Sequence, residues 1–156
     1  MYPCFDTDGI SSERLLSEWK WLAFGELSLL AVNAFGDLFL TNVQGAVHWL
    51  DITAGRISRV ANSEKEFRDA ATELPKKNEW SLIDDAEKAE RKGYSPGKGQ
   101  CVGSKIPWIF KESANMPDMY VADLYEYVSF MGDVHCQIND VPDCGKVRIR
   151  VEPRPN

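Results

Sequence analysis

The stretch from residue 27 to residue 61 constrains the fold most. It holds four short apolar or alternating runs, Leu27–Phe35, Leu38–Val43, Ala46–Thr53 and Arg56–Ala61, each separated from the next by only two residues. Connections that short cannot carry a chain to a parallel neighbour, which takes a dozen residues or more. They close antiparallel hairpins instead. Gly36, Gly45 and Gly55, one in each connection, supply the positive φ that such turns require. The stretch therefore predicts a four-stranded antiparallel meander.

Amphipathic segments flank the meander. Ser11 or Ser12 can cap a helix over 13–24, with Leu15, Leu16, Trp19, Leu22 and Ala23 on one face. Asn62 or Ser63 opens a second helix over 64–73, which Pro75 stops. Residues 76–80 read as a connector and 81–92 as a charged helix ended by Gly93. Four residues of 94–105 are Pro96, Gly97, Gly99 and Gly103, which reads as a loop. Residues 105–110 and 119–122 read as short strands, 123–139 as the longest helix, and 146–151 as a basic edge strand. With 156 residues, 44% hydrophobic and 11% aromatic, the chain has enough apolar surface to fold. It fits one α+β domain spanning 1–156, an antiparallel sheet with helices packed on it. Trp19, Trp21, Trp49 and Trp108 are expected in its core.

The formal charge is −6, and it is unevenly placed. Residues 101–145 contain 7 acids and 2 bases, whereas residues 146–156 contain 1 acid and 4 bases. At about 100° per residue, the last helix gathers Leu124, Tyr127, Val128, Met131, Val134, His135 and Ile138 on a core face. Glu126, Asp133 and Asp140 gather on the other, with Asp118 and Asp143 beside them. Such a stripe either keeps a surface helix solvated or steers a basic partner. His135, on the core face without an orienting acid in view, is expected to be a structural histidine bonded to a backbone carbonyl.

Motifs for chemistry fail on spacing. Tyr94–Gln100 suggests a phosphate loop, but Lys98 is followed by Gly99 where a hydroxyl must hold magnesium, and a charged helix precedes it where a strand is needed. The chain has no G-x-S-x-G elbow. Asp84 and Asp85 sit where acids complement a helix N-terminus. Cys4, Cys101, Cys136 and Cys144 form no CxxC clip. A site from Cys101, His135, Cys136 and Cys144 is conceivable, but free thiols in a reducing compartment are the expectation. No metal or other cofactor is expected. The acidic pI argues against direct nucleic-acid binding. The absence of a run of about 18 apolar residues argues against a membrane span. The first residues lack the pattern of a signal peptide, so a cytoplasmic location is expected.

Two longer patterns carry a resemblance. The first runs Tyr94-Ser95-Pro96-Gly97-Lys98-Gly99-Gln100-Cys101-Val102-Gly103, then Ile106-Pro107-Trp108. It continues with Val121-Ala122-Asp123-Leu124-Tyr125-Glu126-Tyr127 and Phe130-Met131-Gly132-Asp133-Val134-His135. This third of the chain resembles the C-terminal domain of type VI secretion DNase-immunity proteins, a domain of unknown function. More loosely, Ala34–Leu40, Val47–Asp51 and Val60–Phe67 resemble the SUKH immunity superfamily. The resemblance implies a SUKH-like α+β domain, not an enzyme, that binds and neutralises a cognate toxin in the producing cell. It supplies no catalytic set and no cofactor. DNase toxins tend to carry basic substrate-binding surfaces, so Asp118, Glu126, Asp133, Asp140 and Asp143 are the candidate partner contacts. The alternative is a small-molecule binder or enzyme built on loop 95–103 and Cys101, which requires a pocket there and a depressed thiol pKa.

Overall fold

A computed structural model describes residues 3–111, 118–142 and 145–148. The meander forms as expected. Strands β1 (Ser28–Val32), β2 (Leu38–Thr41), β3 (Val47–Asp51) and β4 (Arg56–Ala61) lie in the order β1-β2-β3-β4, all neighbours antiparallel. Leu38, Phe39 and Leu40 of β2 are all buried, because this inner strand is covered on both faces. The edge strand β4 exposes Arg56, Ser58 and Arg59, polar side chains that discourage further pairing.

One face of the sheet packs against α1 (Ser12–Leu16), a 3-10 helix (Ser17–Leu22) and α5 (Leu124–Ile138). Leu38, Leu40 and Leu50 meet Leu15, Trp19, Leu124, Val128 and Met131 there. The other face packs against α2 (Glu64–Ala71) and α3 (Lys76–Ser81) through Phe39, Phe67 and Trp80. Ring centroids lie 4.9 Å apart for Phe39–Phe67 and 4.8 Å for Phe67–Trp80. Beside the sheet, α4 (Ile83–Arg91) packs near a two-stranded ribbon of β5 (Gln100–Ser104) and β6 (Met119–Asp123). The architecture is α+β, and no described helix is long and apolar enough to cross a membrane.

Several expected boundaries move. The first helix is α-helical only to Leu16 and then tightens into the 3-10 form, with Ser11 accepting the Arg14 N–H as its cap. Residues 76–80, expected as a connector, belong to α3, and Trp80 is a core residue. The glycine-rich stretch holds strand β5, which hydrogen bonds to β6 on one side and, through Val102 N–H, to Ala34 C=O on the other. Glycine punctuation concealed a short buried strand. Residues 105–110 form turns rather than a strand, since Pro107 lacks the N–H a ladder needs. Residues 146–148 form no strand, and 149–151 lie outside the described residues. Of the four tryptophans expected in the core, Trp19 is fully buried, while Trp21, Trp49 and Trp108 are half-buried.

Helix α5 starts at the Asp123 cap, whose carboxylate accepts the Glu126 N–H. It approaches the 3-10 helix closely at Gly132. Trp19 Nε1 donates to Val128 C=O at 2.9 Å. A Cβ at position 132 would lie 2.8 Å from the Glu18 carbonyl oxygen and 2.9 Å from Trp19 Nε1. Alanine normally gains about 1 kcal/mol over glycine within a helix. Here the obstructing atoms are backbone and a buried indole, which cannot yield. Gly132→Ala should therefore lower unfolding free energy by about 1–3 kcal/mol in urea titrations. A stabilised variant would contradict this packing.

Candidate functional site

The sequence-predicted acids fall along β6 and α5. Asp118 is exposed immediately before β6. Glu126 is exposed in the first turn of α5, whereas Asp133 is half-buried and accepts Gln137 Nε2 at 3.1 Å. Asp140 is exposed but lies beyond Ile138, the last helical residue, so helical spacing does not place it. Asp143 lies outside the described residues. Leu124, Tyr127, Val128, Met131, Val134 and His135 are buried on the opposite face, and Ile138 is half-buried.

Ion pairs occur on three other helices and at Asp6, while Glu13, Glu18, Glu73, Asp84 and Glu90 are, like the acids of this surface, in none among the described residues. On α2, Lys65 pairs with Asp69 and Arg68 with Glu64. On α3, Lys76 pairs with Glu79. On α4, Lys88 pairs with Asp85 and Arg91 with Glu87. Lys98 pairs with Asp6. Among the described residues, no ion pair involves Asp118, Glu126, Asp133 or Asp140. The sequence contains seven acids and no lysine or arginine across residues 112–145.

Polar groups that the sequence reading missed lie in the core. Asn33 and Asp37, at the two ends of the β1–β2 turn, are buried. Asn33 Oδ1 accepts the N–H groups of Phe35 and Asp37, and its amide donates to Asp37 Oδ2 and the Trp80 carbonyl. Asp37 also accepts from Ile52 N–H at 3.1 Å and Trp49 Nε1 at 3.3 Å. Burial, reinforced by the nearby Asp51 charge, outweighs these donors and pushes the carboxyl up to about 7. The Asn-x-x-Gly-Asp turn was a signal for this network, but an Asp beside a turn glycine reads first as solvent-exposed.

His135 takes the structural role expected of it. Its Nε2 lies 2.8 Å from the Ile52 carbonyl oxygen, to which it donates. Burial lowers its pKa, against partial opposition from the Ile52 and Thr53 carbonyls. The ring sits against Gly55, where a Cβ would lie 2.6 Å from the histidine Cγ. Gly55 thus serves both a left-handed turn and a close contact.

Loop 95–103 and Cys101 are built for packing. Cys101 is fully buried, and burial with the Asp123 and Asp37 charges pushes its thiol up to about 12. That is opposite to the depression thiol chemistry requires. A Cβ at Gly103 would lie 2.9 Å from the Tyr127 ring, so this glycine makes room for an aromatic side chain. Gln100 Oε1 accepts the Gly97 N–H. One cleft of 360 Å³ is lined by Phe35, Leu82, Lys88, Ala89, Lys92, Trp108 and Met119, not by loop 95–103 or Cys101. No cluster of three potential metal ligands occurs among the described residues. Cys4 is half-buried and Cys136 exposed, while Cys144 lies outside the described residues.

No protein-family model matches the chain, and comparison with curated proteins finds no match.

Native-state alkylation with iodoacetamide, mapped by mass spectrometry, should modify Cys136 quickly and Cys101 only after denaturant is added. Rapid modification of Cys101 in the folded protein would reverse the assignment of this thiol to the core.

Proposed function

We propose that the protein is a bacterial immunity protein that neutralises a cognate secreted toxin, a nuclease of the type VI class, by stoichiometric binding in the cytoplasm. The observation that carries the reading is the acidic surface of β6 and α5, which falls in a stretch with seven acids and no lysine or arginine across residues 112–145. Acids on the other described helices are in part neutralised by lysines and arginines of the same helix. Among the described residues, Asp118, Glu126, Asp133 and Asp140 are in no ion pair. A nuclease must hold a polyanion and so offers a basic surface. An acidic face on a rigid helix would speed encounter with that surface and occupy it. The resemblance of residues 94–135 to DNase-immunity domains points to the same class.

Co-expression with the product of a toxin gene found beside its own should give a stable complex and protect the cell. Reversing both charges in Glu126→Lys/Asp133→Lys should slow association by about tenfold at low salt and flatten its salt dependence. Absence of both complex and protection would refute the reading. An unchanged salt dependence would remove the helix stripe from the interface.

A further inference from the structure

Among the described residues, the β5–β6 ribbon has one edge in use and one edge open. Asp118 C=O accepts the Lys105 N–H at 3.0 Å, and Leu124 N–H donates to Gly99 C=O at 2.9 Å. The register pairs Gly103 with Tyr120 and Cys101 with Ala122. Antiparallel alternation therefore turns the backbone groups of Tyr120 and Ala122 toward β5 and those of Met119 and Val121 away from it. Among the described residues, the outward N–H and C=O of Met119 and Val121 have no backbone partner. The outer edge of β5 is different, because Val102 N–H is taken by Ala34 C=O at 2.7 Å.

The side chains at this edge suit a protein partner. Tyr120 and Val121 are 36% and 37% exposed. Their side chains alternate across the strand, Tyr120 on the face of Asp118 and Val121 on the face of Asp123, and Asp118, Asp123 and Glu126 are exposed. The Glu126 charge acts on the Tyr120 hydroxyl, contributing to its raised pKa after burial and Cys101, so the first turn of α5 stands beside the strand. Natural edges are commonly blunted by lysine or proline, and β6 contains neither. An exposed strand with free backbone groups is a template for strand addition, in which main-chain bonds give affinity and flanking side chains give selectivity.

From these features we infer that β6 receives an extended, lysine- or arginine-bearing segment of the partner protein as a third strand. The backbone of Met119 and Val121 pairs with that segment, while Asp118, Asp123 and Glu126 hold its cations. The inference rests on the immunity reading and adds how the toxin docks.

The test uses the full chain and an inactivated form of the toxin encoded beside it. Val121→Pro removes an outward N–H and blocks the edge, while β5 pairing through Tyr120 and Ala122 is untouched. The dissociation constant should rise at least about tenfold, and the Met119 and Val121 amides should become protected from hydrogen exchange in the wild-type complex. Val121→Lys, which leaves every backbone group in place, should weaken binding less, and serves if the proline variant fails to fold. A complex that forms with neither amide protected, or that tolerates both variants, overturns the strand-addition mode and leaves the immunity reading standing. A wild-type chain that does not bind the toxin overturns both.

Discussion

The fold depends on one peptide group pair at the tip of the β3–β4 hairpin. Ile52 lies just past β3, where sheet pairing no longer satisfies its backbone. Its N–H is taken by Asp37 at 3.1 Å and its C=O by His135 at 2.8 Å. Asp37 belongs to the β1–β2 turn and His135 to α5, so three separate segments meet at one residue. Each bond satisfies a buried backbone group whose loss would cost about 1–3 kcal/mol. Apolar contact alone would let a helix slide on a sheet, whereas these two directional bonds fix where α5 sits.

That placement determines which side of α5 faces outward. His135 and Met131 are held inward, and the close contact of Gly132 with Glu18 and Trp19 secures the flank. Glu126 is then left facing solvent, and Asp133 partly so. Because β6 runs directly into α5 through the Asp123 cap, its open edge and the acidic stripe occupy one continuous region. The proposed docking surface is thus a consequence of how the core is locked.

Much of this was legible in the sequence. Short connections and turn glycines specified the meander, although the strands are shorter than read and the connections span residues 33–37, 42–46 and 52–55; helical spacing sorted α5 into a buried and an acidic face. His135 was readable as structural because it fell on the apolar face. The misses share a physical cause: they depend on contacts remote in sequence. Strand β5 exists because Ala34 and β6 pair with a glycine-containing segment, and Gly103 is required by Tyr127, 24 residues away in sequence. Trp80 is core because Phe39 and Phe67 stack around it. Asp37 is buried because Ile52 and Trp49 reach it from the next hairpin. For the candidate site, helical spacing identified Glu126 and Asp133 but not Asp140, which lies beyond the end of α5. The open edge of β6, and the lack of ion pairs at these acids among the described residues, emerge only in three dimensions.

The buried pair at Ile52 also gives opposed pH dependences. Asp37 has a folded-state pKa raised from 3.8 to about 7. Its contribution to stability therefore falls as pH rises through that interval and is level above it. His135 has a lowered pKa, so its contribution is lost as pH falls below its ordinary value of 6.5. The most direct test is an NMR titration that follows the Asp37 carboxyl carbon and the Ile52 amide together. Both should move together, at a midpoint raised above the ordinary 3.8 toward about 7. An Ile52 amide that does not respond to the Asp37 titration would contradict the joint on which this architecture rests.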